Sequence, residues 1–85
     1  MSIVYEVIVS YWDEYMGELV HQSMMLFGNA DDAEKFVTDN FECRHIRTKG
    51  DGPFMADDVV PKSPQMRSFF GEQVEYVCVE TRELR

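Results

Sequence analysis

The clearest strand signal in this chain is residues 3–12, IVYEVIVSYW, a run of β-branched and aromatic residues. Such residues favour strands, in which successive side chains point to opposite faces. One face is apolar or aromatic throughout, and we expect it to face the core: Ile3, Tyr5, Val7, Val9 and Tyr11. The other face is mixed, and we expect it to be partly exposed: Val4, Glu6, Ile8, Ser10 and Trp12.

The next residues predict a hairpin. Residues 13–17, DEYMG, form its loop, where Gly17 can take a positive φ. Residues 18–27, ELVHQSMMLF, form the partner strand. Because residues 24–27 are all apolar, we expect that end of the strand to be buried on both faces.

A helix follows at residues 28–41. Asn29 is a preferred N-cap residue, and Asp31 and Asp32 lie where the helix dipole favours negative charge. Apolar residues recur at helical spacing and predict one buried stripe, with the helix ending near its last member: Ala30, Ala33, Val37 and Phe41.

The second half of the chain predicts fewer elements. A third strand fits residues 43–48, and a last strand fits residues 73–81. Between them, Pro61 and Pro64 argue against a central strand, while Ser63, Pro64 and Gly71 indicate a short helix. We therefore predict a single α+β domain over residues 1–85. Its antiparallel sheet would have about four strands in the order β-β-α-β-(short α)-β, with a helix packed on one face.

Charge predicts the sign of the partner. The net charge is −8, and the first 34 residues hold seven acids but no Lys or Arg. A chain of this charge favours a protein partner with a basic surface. The same charge argues against direct nucleic-acid binding and against an anionic membrane surface.

One basic segment offers a competing interpretation. It comprises Arg44, His45, Arg47 and Lys49, and it would be the best argument for nucleic-acid contact. It lacks clustered aromatic residues for base stacking, and basic residues also protect the edge strand of a sheet from pairing with other chains.

We predict no catalytic residues, no metal and no cofactor. The soft ligands are His21, Cys43, His45 and Cys78, whose spacing does not match a zinc site. Pairing His21 with Ser23, or His45 with Cys43, would leave the pair without an orienting third group. The chain is therefore not expected to be an enzyme. Its two cysteines and the absence of an N-terminal signal segment predict a cytoplasmic location.

The hairpin tip combines aromatic and acidic side chains. We predict that it binds a protein partner through Tyr11, Trp12, Asp13, Glu14, Tyr15 and Glu18. Aromatic residues serve as interface anchors, and acids at the rim steer a basic partner. Alternatively, Tyr11 and Trp12 complete the core while the acids keep the tip soluble. A further alternative is a homo-oligomeric structural or interaction domain, such as a homo-dimer, held together by the apolar residues of the hairpin strands.

The hairpin, the capped helix ADDAEKFV and the strand after it resemble small phage-encoded proteins of host takeover and anti-defence, including polymerase inhibitors and anti-CRISPR proteins. The resemblance covers residues 3–48 and is one of pattern, so no site residue is carried over from it. The segment with Pro61 and Pro64 departs from the pattern of the polymerase inhibitors. The resemblance implies an acidic, non-enzymatic inhibitor that docks on a nucleic-acid-binding surface of a host or defence protein.

Overall fold

The computed structural model describes residues 2–47 and 54–84. Their elements, in chain order, are β1 (Ser2–Asp13), β2 (Glu18–Phe27), α1 (Ala30–Asn40), β3 (Phe41–Arg47), β4 (Phe54–Pro61), α2 (Pro64–Phe70) and β5 (Val74–Leu84). The strands form one antiparallel sheet in the order β2-β1-β5-β4-β3. The predicted α+β class is confirmed, with five strands rather than about four.

The strand missing from the prediction is β4, which lies inside the sheet between β3 and β5. Pro61 ends this strand, so it does not interrupt the middle of the ladder as the prediction assumed. Asp58 has φ +51, and the buried positions change there from Phe54 and Ala56 to Val59 and Pro61. This local inversion breaks the alternation by which a strand is identified from sequence.

The two helices begin and end where the sequence predicts. Asn29 caps α1, with its Oδ1 accepting from the Asp32 amide at 2.8 Å. Ser63 caps α2, with its Oγ accepting from the Met66 amide at 3.3 Å, and Gly71 ends that helix with φ +63. Capping residues act within one turn of the chain, which explains why they can be predicted without the tertiary fold.

Both helices pack on one face of the sheet and share one core. Its members are Val7, Val9, Ala33, Val37, Phe41, Phe54, Ala56, Val59, Met66, Phe70, Val77 and Val79. Tyr5 and Tyr11 pack against this cluster, as predicted, whereas Ile3, at the start of the sheet, is exposed. No helix in the described part of the chain lies over the other face, where Ile8, Cys78 and Met55 are only half-buried.

The interpretation of residues 24–27 as buried on both faces was wrong. β2 is an edge strand, so it has a neighbour on one side only. The pairing with β1 passes from Met25 to Ser23, which leaves Met24 as the extra residue of a bulge. Met24 and Phe27 pack on the core, but Met25 and Leu26 are 47% and 45% exposed.

Candidate protein-binding surface at the hairpin tip

The loop that joins β1 to β2 is held by its own hydrogen bonds. The Asp13 carbonyl accepts from the Gly17 amide at 2.8 Å. The Asp13 side chain accepts from the amides of Tyr15 and Met16 at 2.9 and 3.2 Å. Gly17 has φ +65, which a residue with a Cβ adopts only with strain. These bonds fix the backbone that carries the exposed side chains of the tip.

The structure brings together five of the six predicted partner-binding residues at this tip. Tyr15 is fully exposed, and Trp12 is 43% exposed. Asp13 and Glu18 lie directly opposite each other where the strands end, and Glu14 follows in the loop. Tyr11 is placed differently: its ring packs against Phe70 at 5.3 Å and belongs to the core side of the sheet.

Sequence reasoning missed two apolar members of the same surface. Met16 is exposed beside Tyr15 in the loop. Leu19 is paired with Trp12 across the hairpin and is also partly exposed. A hairpin with residues 13–17 as its loop would place residue 18 opposite residue 12. In the structure the strands pair one residue further, to Asp13 and Glu18, so the pairing of Leu19 with Trp12 does not follow from the predicted loop.

The C-terminal half contributes to this end of the molecule through the turn before β5. The backbone amide of Trp12 donates to the backbone carbonyl of Gln73 at 3.0 Å. The side-chain Nε2 of Gln73 donates to Glu14 Oε1 at 2.9 Å. These bonds bring the exposed carboxylates of Glu72 and Glu75 to the side of the hairpin. Only the pairing of β1 with β5 creates this arrangement, so the sequence gives no local signal for it.

We call residues 12–19 together with residues 71–76 the acidic end. It holds five acids and no Lys or Arg: Asp13, Glu14, Glu18, Glu72 and Glu75. None of them takes part in an ion pair within residues 2–47 and 54–84. Two of these acids lie in direct opposition across the hairpin, which makes the potential at the hairpin tip negative, whereas Glu72 shares open cavities with Lys62, Arg67 and Arg44.

The other acids of the first 34 residues lie elsewhere. Glu6, on the open face of the sheet, accepts from Ser23 at 2.8 Å and pairs with Arg82 at 3.0 Å. Asp31 and Asp32 are in the first turn of α1, beyond the opposite end of β2 from the tip. The first half of the chain is therefore not one acidic surface, because its acids are divided between the hairpin tip, the open face of the sheet and α1.

The basic segment on β3 is largely paired with acids. Arg47 contacts Asp57 at 3.1 Å, and Arg44 lies 3.5 Å from Glu42 and 4.0 Å from Asp58. These exposed pairs contribute little stability, but they reduce the positive potential that a nucleic acid would need. His45 is exposed opposite Asp57, and Lys49 lies outside the described residues.

The candidate catalytic pairs considered from the sequence do not form. His21 Nδ1 is hydrogen-bonded to Ser10 Oγ at 2.6 Å, while Ser23 is bonded to Glu6 instead. Ser10 is buried, and it lines an open cavity on the uncovered face of the sheet together with His21. The Cys43 thiol contacts the Phe41 carbonyl at 3.6 Å rather than His45, which is exposed.

The two cysteines are free thiols on different strands. Burial, with the nearby carboxylates of Glu80 and Glu6, raises the pKa of Cys78 to about 11. Burial also raises the pKa of Cys43. A thiol with a raised pKa is a poor nucleophile at neutral pH. Within the part of the chain that the structure describes, no three His, Cys, Asp or Glu side chains converge as a metal site.

No protein-family model, curated sequence or solved structure matches this chain. Among the described residues, neither helix is long and apolar enough to cross a membrane.

Proposed function

We propose that this chain is a small, non-enzymatic protein-binding domain that docks through its hairpin tip on a basic surface of another protein. Trp12 and Tyr15 would be the anchors, with Met16 and Leu19 completing the apolar contact. The carboxylates of the acidic end would surround these anchors and orient the partner. The observation that carries the proposal is a fully exposed tyrosine on a hydrogen-bonded loop, flanked by acids that form no ion pair within residues 2–47 and 54–84.

The burial of the tip residues supports this proposal over a purely structural role. From the sequence, Tyr11 and Trp12 could each belong to the core or to a contact surface. In the structure Tyr11 packs in the core and Trp12 remains 43% exposed. Tyr15 makes no contribution to the core. Aromatic side chains bind partners with little loss of conformational entropy, and they are enriched at the centres of interfaces.

The mechanism would be occlusion steered by charge. Uncompensated carboxylates raise the rate of encounter with a positive surface, and this effect weakens as salt screens the charges. Once docked, the tip would cover the basic residues of the partner. The most specific form of the proposal is inhibition, in which the covered surface is one that the partner uses to bind nucleic acid.

The experiment compares two variants of equal net charge. Glu18→Lys with Glu72→Lys reverses two charges at the acidic end, and Asp39→Lys with Glu83→Lys reverses two exposed charges elsewhere. Partners captured from a lysate of the source organism would be quantified by mass spectrometry at low and at moderate salt. We expect the tip variant to lose roughly tenfold or more of a basic partner that the control variant retains.

Equal capture by both variants would contradict the proposal, since it would show that binding does not depend on charges at the acidic end in particular. The homo-oligomer remains the second candidate, and the exposed Met25 and Leu26 on the edge strand favour it. Sedimentation at high protein concentration tests it directly. A monomer across the concentration range would exclude the homo-oligomer.

A further inference from the structure

The two edges of the sheet differ in how they are protected from pairing. β2 contains no Lys, Arg, Asp, Glu or Pro from Leu19 to Phe27, and within residues 2–47 and 54–84 it pairs with β1 alone. β3, at the other edge, carries charged residues that form ion pairs within β3 and across to β4. Charged residues on an edge strand discourage the addition of another strand, and an uncharged edge permits it. β2 is therefore the edge that can accept a further strand.

Acids flank this uncharged edge at both ends. Asp13 and Glu18 lie where β2 begins, and Asp31 and Asp32 lie in the first turn of the helix that follows it. The ten residues of β2 extend over about 33 Å at roughly 3.3 Å per residue. The edge thus presents negative charge, then an uncharged backbone with exposed Met25 and Leu26, then negative charge again.

The charge pattern disfavours a second copy of this chain as the occupant. In a two-fold antiparallel pairing centred on Ser23, Glu18 of one copy would face Gly28 of the other, next to its Asp31 and Asp32. Acids would then meet acids at both ends of the added strand. Like charges in opposition are destabilising, and each chain carries a net charge of −8.

The bulge at Met24 adds a geometric argument. A bulge bends its strand and increases its twist, which hinders pairing with the edge of a second rigid sheet. A flexible segment can follow the bend and form backbone hydrogen bonds on either side of it. Strand addition of this kind is a common mode of peptide recognition, in which main-chain bonds supply affinity and side-chain contacts supply selectivity.

We infer that β2 binds an extended peptide segment of a partner protein, with an uncharged β-forming centre and Lys or Arg at both ends. The segment would extend the sheet beyond β2, with its basic ends beside the two acidic groups. The inference shares the tip acids with the proposed function and rests on it to that extent. The backbone pairing along Leu19–Phe27 is a separate requirement.

Three labelled synthetic peptides of about eleven residues, enough to match the length of β2, test this inference. The first has two lysines at each end and alternating Val and Thr between them. The second has glutamates in place of the lysines. The third keeps the lysines but carries N-methyl groups on alternate backbone amides. It therefore retains the charge but cannot form the backbone hydrogen bonds of a β-ladder along one of its edges. Fluorescence anisotropy gives the affinities, and NMR amide shifts of the full chain locate the site.

We expect the first peptide to bind at least tenfold more tightly than either of the others. The amide shifts should lie along Leu19–Phe27 and not on β3. Leu26→Lys, which puts a charge on the β2 edge, should weaken binding, whereas Ile46→Lys on the β3 edge should leave it unchanged. Both positions are partly exposed, so either variant is expected to fold.

Two results would overturn the inference. Equal binding of the N-methylated peptide, with shifts confined to residues 12–18, would show attraction by the tip without strand addition, and the proposed function would still stand. Self-association of the chain with protection of the β2 amides would identify a second copy as the occupant. Conversely, peptide-induced shifts along β2 could persist in the variant with Glu18→Lys and Glu72→Lys. That result would support strand addition and would contradict a steering role for the acids of the tip.

Discussion

The acidic end and the β3–β4 edge both carry many charges, but the two regions arrange them differently. At the β3–β4 edge, Arg44 and Arg47 are paired with acids of the same strand or of the neighbouring one. At the acidic end, five carboxylates stand together with no base among residues 12–19 and 71–76. Charges arranged in pairs support the fold weakly, whereas unpaired charges of one sign weaken it slightly.

The difference indicates which surface is suited to contact. Because the acidic end gathers like charges and exposes Trp12 and Tyr15, we propose that it serves contact with a partner. A region whose charges neutralise each other presents little net potential to a partner. If the acidic end serves contact while the rest of the chain serves the fold, substitutions in the two regions should differ in their effects on stability and on binding.

The largest expected effect concerns stability. Phe41 is fully buried where α1 meets β3, and Tyr15 is fully exposed at the tip. We expect Phe41→Ala to lower the free energy of unfolding by about 3–5 kcal/mol because it leaves a cavity in the core. We expect Tyr15→Ala to change it by less than about 0.5 kcal/mol. Urea unfolding followed by circular dichroism measures both, and comparable losses would show that the tip is part of the structural core.

The next effect concerns binding at the tip. Trp12→Ala should weaken the captured complex by about 2 kcal/mol, or roughly thirtyfold in Kd, because an aromatic anchor is lost. Ile46→Ala, a truncation of a similarly exposed side chain on β3, should leave the Kd unchanged. Titration calorimetry with the purified partner measures both variants. If the two lose affinity equally, the tip has no special role.

A smaller effect tests the backbone of β4. Asp58 has φ +51, a conformation that Gly adopts freely and Ala does not. Asp58→Ala should therefore lower the free energy of unfolding by about 1 kcal/mol. Asp58→Gly should be closer to the original chain, and neither variant should alter partner binding. Thermal unfolding ranks the stability of the original chain and of the two variants. A higher stability for Asp58→Ala than for Asp58→Gly would contradict backbone strain at this position.

The smallest effect has opposite signs in the two regions. Arg47→Gln removes the pair with Asp57 and should lower the free energy of unfolding by up to about 1 kcal/mol. Glu18→Gln removes a charge opposite Asp13 and should raise the free energy of unfolding by about 0.2–1 kcal/mol. Both changes should shrink in high salt. A loss of stability in Glu18→Gln would mean that this acid supports the fold.

Local signals predicted the helices and the hairpin, because Asn29, Ser63 and Gly17 act within a few residues of themselves. β4 and the end of β2 were harder to predict. The inversion at Asp58 hides the alternation of β4, and the bulge at Met24 makes an exposed edge resemble a buried segment.

The candidate site divides in the same way. The predicted hairpin accounts for the loop residues of the tip, but the pairing of Trp12 with Leu19 arises because the ladder extends one pair further than predicted, to Asp13 and Glu18. Its two C-terminal acids, Glu72 and Glu75, reach the tip only because β5 pairs with β1. The burial of Tyr11 likewise depends on α2, which brings Phe70 against its ring. Contacts between distant segments leave no trace in the local pattern, so these features needed the tertiary structure.

Photocrosslinking tests the central claim most directly. Tyr15→p-benzoylphenylalanine places the reactive group at the tip, and Ile46→p-benzoylphenylalanine places it at the β3 edge. After irradiation in a lysate of the source organism, we predict that position 15 forms a crosslink to a basic protein, that added salt reduces its yield, and that position 46 does not form it. The same crosslink from both positions, or none from position 15, would contradict a binding role for the acidic end.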